Sequence, residues 1–142
     1  MTALIQVITG CLGAAGFAVL YNIRGKRFIF AALGGLLAVV FYHLFGLIVE
    51  NEILNYFICA ALVSLYAEIM ARVLKTPTTT FIITSLIPLI PGSSLYYTMT
   101  NAFSGDMGSF IDKGIYTLGL AGALAAGIIV VVSTTKVIMK KR

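Results

Sequence analysis

The chain is 142 residues long, 60% hydrophobic and only 11% charged, with a mean hydropathy of +1.03. Soluble domains average about 45–50% apolar and about 25% charged residues, so this surplus is more than one small core can bury and lipid must be part of the solvent. The net charge of +5 sits in short runs between apolar segments, which fits membrane topology and excludes the basic face of a soluble nucleic-acid module.

In chain order, five apolar segments are expected to cross the membrane as one domain over 1–142: about 3–22, 28–49, 53–71, an interrupted 78–101, and 114–135. Each is near the roughly 20 residues that span a bilayer as a helix. Each must be helical, because lipid offers no partner for backbone N–H and C=O groups. The expected fold class is therefore all-α, an integral membrane helical bundle.

The first segment opens with "MTALIQVITG", which lacks the positive region of a signal peptide and reads as the start of a span. Gly10, Ala14 and Ala18 recur every four residues there, as Gly119 with Ala123 and Gly122 with Ala126 do in the fifth segment. Small residues at that spacing let helix backbones approach closely in lipid. Cys11 and Cys59 lie inside apolar segments and read as small buried hydrophobes, not as a disulfide or a metal site. There is no Trp, so the seven tyrosines supply much of any interfacial belt.

The links carry the charge. "IRGKR" holds Arg24, Lys26 and Arg27, the next link Glu50 and Glu52, the third Arg72 and Lys75, the fourth Asp106, Asp112 and Lys113, and the tail Lys136, Lys140, Lys141 and Arg142. Alternate links share a side, so nine of the ten cations fall together and leave Lys113 alone opposite. The positive-inside rule then expects the N-terminus outside and the C-terminus in the cytoplasm of a multi-pass cell-membrane protein.

Within the spans, Glu68 in "SLYAEIMAR" stands four residues before Arg72, on the same helical face. It is either the acid of a structural ion pair or a carboxylate facing a cavity and linked to protons or substrate. His43, the only histidine, is either a hydrogen-bonded structural residue or a titrating relay. Gln6, Asn55, Ser64 and Tyr66 either line a path or bond between helices. No nucleophile–base pair, phosphate loop or metal set is visible, so neither an enzyme nor a cofactor is expected.

The fourth segment interrupts itself at "SLIPLIPGSSLYY". Pro77 stands at the start, where a proline costs no intrahelical bond. About ten residues on, Pro88 removes the bond to the Thr84 carbonyl and Pro91 the bond to that of Ile87. Gly92 permits an irregular turn, and Ser93 or Ser94 is expected to cap a second half-helix. Such a half-helix presents unpaired N–H groups to an anionic substrate group, with freed carbonyls opposite for a cation. A kinked structural helix, or a turn at the outer surface, is the alternative.

This motif resembles the threonine/serine exporter (ThrE) family. Over residues 66–99, Ala67, Glu68, Ala71 and Arg72 are followed by Thr76 and Pro77. Then come Ile87, Pro88, Leu89, Pro91 and Gly92, with Tyr96 or Tyr97 before Met99. The resemblance implies export of small hydrophilic solutes such as threonine and serine, driven by the proton gradient, or in some split systems of a dicarboxylate such as succinate. It also implies that the chain is similar to the smaller, C-terminal half of a split system and works with a larger ThrE-type membrane subunit. Relatives often carry a second glycine after Pro-Gly, where Ser93 and Ser94 stand here. On this reading Glu68 carries proton coupling, with His43 as a further relay. Pro88, Pro91, Gly92, Ser93, Ser94 and Tyr97 face the substrate. A non-transporting accessory subunit and a passive channel formed by self-association are the rival expectations.

Overall fold

The computed structural model describes residues 2–140; Met1, Lys141 and Arg142 of the expected layout lie outside them. The described residues form six α-helices and one short 3-10 turn. They are α1 Thr2–Leu20, α2 Lys26–Gly46, α3 Glu52–Val73, α4 Thr78–Leu86, the 3-10 turn Ile87–Leu89, α5 Gly92–Ser104 and α6 Met107–Lys140. The all-helical membrane bundle expected from the sequence is the fold observed, with its fourth segment broken where the prolines stand.

Helices α2, α3 and α6 are each long and apolar enough to cross a membrane, and the bent α4–α5 pair can act as a fourth span. The apolar stretch of α1, Leu4–Leu20, is shorter. At about 1.5 Å per residue α2 and α3 reach just past the roughly 30 Å of a hydrocarbon core, whereas the 34 residues of α6 reach about 50 Å. Its first turns therefore overshoot the expected segment 114–135.

Small residues set the packing. A Cβ on Gly35 of α2 would collide with that of Ala14 on α1 and lie 3.2 Å from the Gly10 carbonyl oxygen, so these helices approach closely along their backbones. A Cβ on Gly127 of α6 would lie 2.7 Å from the Phe57 carbonyl oxygen and 2.9 Å from the Ala60 Cβ of α3. Gly119 meets Ile53 one end further along, so α3 and α6 run parallel. Two apolar clusters fill the bundle. Ala18, Ala31, Ala67 and Phe81 form one, and Ala38, Cys59, Val63, Leu86 and Leu89 the other.

The helix ends are cut by local chemistry. Asn51 caps α3 by accepting the N–H groups of Ile53 and Leu54. Asp106 caps α6, accepting the Ser109 N–H at 3.1 Å, and hydrogen bonding to Ser109 holds its carboxyl below the usual range. At the C-terminus of α5, Gly105 takes a left-handed φ of 78° that closes the turn into α6. Helices α1 and α3 end with the same paired bonds, but on Asn22 and Lys75, at φ 55° and 49°.

Candidate functional site

The break begins where Pro88 ends the α-helical ladder of α4. The chain tightens into the 3-10 turn and then bends by 58° into α5. The Ile87 carbonyl, which loses its partner to Pro91, accepts instead the Ile90 N–H at 3.2 Å. One of that carbonyl's two acceptor positions is thereby engaged. Pro91, not a serine, is the N-cap of α5, and no side chain caps the helix. Ser93 and Ser94 lie inside its first turn, which corrects the capping role expected of them. A proline–glycine pair starts the helix on backbone geometry alone, two residues earlier than a serine cap would.

Depth follows from the neighbours. A Cβ on Gly10, midway along α1, would lie 3.5 Å from the Pro88 Cβ, and the 3-10 turn packs on both α1 and α2. The break is thus inside the bundle. Past it α5 leaves the body and packs chiefly against α6, where the Thr98 and Thr117 hydroxyls meet at 3.1 Å.

Beside the break lies a cleft of about 330 Å³. Pro88 and Leu89 form one wall, Gln6, Thr9 and Gly10 of α1 another, and Val39, Tyr42 and His43 of α2 with Tyr56 of α3 the rest. Thr9 is engaged with the carbonyls of Ile5 and Gln6. The His43 Nε2 is buried with no hydrogen-bond partner. An orphaned buried polar atom costs about 1–3 kcal/mol. A second cavity shares Tyr42 and His43 and adds Glu50, Glu52 and Asn55. Glu52 accepts the Tyr42 hydroxyl at 2.9 Å and the Tyr116 hydroxyl, tying α2, α3 and α6 together at this end.

Of the residues singled out in the sequence, Gln6, His43 and Pro88 meet at this cleft, with Gly10 of the small-residue repeat beside them. Gly92, Ser93 and Tyr97 are exposed at the start of α5, Ser94 is half-buried there, and Pro91 is buried behind the break; none of these five lines the cleft. Glu68 lies elsewhere. It is buried and paired with Arg72 at 2.8 Å, nearer the opposite end of α3. Thr9, Tyr42 and Tyr56 were not singled out. Their signal was there: Thr9 stands three residues after Gln6, and Val39, Tyr42 and His43 share one face by their i, i+3, i+4 spacing. Among the described residues no group of three or more His, Cys, Asp or Glu side chains is placed to hold a metal.

A helical membrane bundle with a span broken inside the protein, beside a polar cleft, has the anatomy of a membrane transporter. The family model described as "Threonine/Serine exporter, ThrE" matches residues 6–134, nearly the whole chain, and the chain belongs to that family. No curated protein and no solved structure gives a significant match.

Proposed function

We propose that the chain is a subunit of an exporter of small hydrophilic metabolites, and that the cleft beside Pro88 holds the substrate. The observation that carries this reading is the juxtaposition of a mid-bundle helix break with a polar cleft lined by His43, whose Nε2 has no hydrogen-bond partner. The cleft's size is at the lower end of the roughly 300–1,000 Å³ usual for small-molecule sites, which suits a metabolite of a few heavy atoms. Its polar lining is amide, hydroxyl and imidazole, with carboxylates next door at Glu50 and Glu52. That setting favours the zwitterion of threonine or serine over a dicarboxylate such as succinate, whose second charge would face acids.

Proton coupling through Glu68, with His43 as a relay, and a larger ThrE-type partner subunit complete the proposal. So does placement in the cell membrane with the N-terminus outside and the C-terminus in the cytoplasm. The Glu68–Arg72 ion pair favours the rival in which that acid is structural and the chain an accessory subunit.

Efflux of labelled threonine, serine and succinate decides among these. It is measured from cells with and without this chain, with the larger subunit present. Threonine and serine efflux that depends on the chain supports the reading. Succinate as the sole exported solute overturns the substrate assignment, and efflux unchanged by deletion overturns the transport role.

A further inference from the structure

The cationic end of the bundle carries another pocket, away from the break. The links α1–α2 and α3–α4 meet there around a cavity of about 280 Å³. Arg24 and Arg27 line it from the first link, Thr76, Pro77 and Thr80 from the second. No acidic side chain is among its lining residues.

Two features leave this pocket electrostatically incomplete. Helix α4, nine residues long, opens into it at Pro77 with no side-chain cap, and a helix N-terminus carries a partial positive charge. The Thr76 Oγ1 on the pocket wall is buried and has no hydrogen-bond partner. Two arginines and one uncapped helix end thus share this pocket with a threonine whose hydroxyl is unpaired.

The links are held in this arrangement. Thr76 N–H bonds the Ala71 carbonyl at 2.8 Å, and Ile23 N–H bonds that of Ala18 at 2.9 Å, each closing a helix end through a left-handed Lys75 or Asn22. Asn22 also accepts the Arg24 Nε at 2.8 Å, which orients that guanidinium.

We infer that this pocket binds a phosphate-type oxyanion, held by Arg24, Arg27, the Thr76 hydroxyl and the open N-terminus of α4. Guanidinium forks and helix N-termini match tetrahedral oxyanions in charge and in donor geometry. Two sources offer that chemistry at the end of a membrane bundle: the headgroup of an anionic phospholipid, or free phosphate.

The test uses the full chain in nanodiscs of neutral phosphatidylcholine. Its thermal midpoint is followed against added phosphatidylglycerol in one arm and inorganic phosphate in the other. A rise with phosphatidylglycerol alone identifies the lipid headgroup, and a rise with inorganic phosphate identifies the soluble anion. Arg24→Gln with Arg27→Gln should raise the half-saturating concentration about tenfold or more. Thr76→Val, which leaves the charge unchanged, should raise it less. Lys26→Gln, in the same link but outside the pocket lining, should leave it as it was. No rise in either arm with the unaltered protein overturns the site, as does a rise that Lys26→Gln weakens as much as the arginine pair. Native mass spectrometry of the unaltered protein adds a readout independent of variant folding: preferential retention of phosphatidylglycerol over phosphatidylcholine, or of phosphate, supports the site, and retention of neither overturns it.

Discussion

At the residue scale, the proposed proton coupling rests on Glu68 and His43. Glu68 is 6% exposed, and its partner Arg72 reaches toward solvent from the last turn of α3. Glu68→Gln keeps the side chain's shape and leaves a guanidinium that water can solvate. The loss of stability should therefore stay within about 1 kcal/mol. If Glu68 carries the proton, gradient-driven export should fall by at least tenfold while membrane levels and pairing with the larger subunit hold. Equal loss of export and assembly would make the acid structural. The pair itself was legible, because i, i+4 spacing on a helix is a matter of counting. The orphaned His43 Nε2 was not. It depends on α1, α3 and the 3-10 turn closing around α2, and no spacing within one segment encodes how four segments pack.

At the element scale, the break between α4 and α5 organises everything around it. The sequence announced it through Pro88, Pro91 and Gly92, because a missing N–H and a fixed φ act whatever the tertiary context. Its consequence was harder to read. Once α5 bends away by 58°, its serines leave the cleft, and the wall facing Gln6 and His43 is made by Pro88 and Leu89 instead. Replacing Pro88 and Pro91 together by Leu should restore the missing backbone donors and favour one continuous helix. That rod would carry the α5 segment off α6, breaking the Thr98–Thr117 contact, and would erase the wall of the cleft. Export should be abolished with the chain still inserted, as read by efflux beside a membrane-fraction immunoblot. Normal efflux from this double variant would remove the break from the substrate path.

At the scale of the whole molecule, charge is segregated along the bundle. Arg24, Lys26, Arg27, Arg72, Lys75 and Lys136 lie on links or helix ends that the up-and-down path brings to one end. Glu50, Glu52, Asp106 and Asp112 lie toward the other. This asymmetry survives every local correction, since it depends only on which links share a side, and the parallel course of α3 and α6 requires an odd number of crossings between them. The broken α4–α5 pair supplies that crossing. Short cationic links are generally retained in the cytoplasm during insertion, and the proposed orientation of the bundle rests on that bias. A reporter fused after Arg142 should therefore read cytoplasmic, and one inserted at the Gly105–Asp106 turn should read the outer side. Neutralising Arg24, Lys26 and Arg27 together should shift part of the population to the inverted orientation, because the first link then carries no bias. Signals of opposite sense from the two unaltered fusions would invert the bundle, placing the cleft's acidic neighbour inside the cell and the arginine pocket outside.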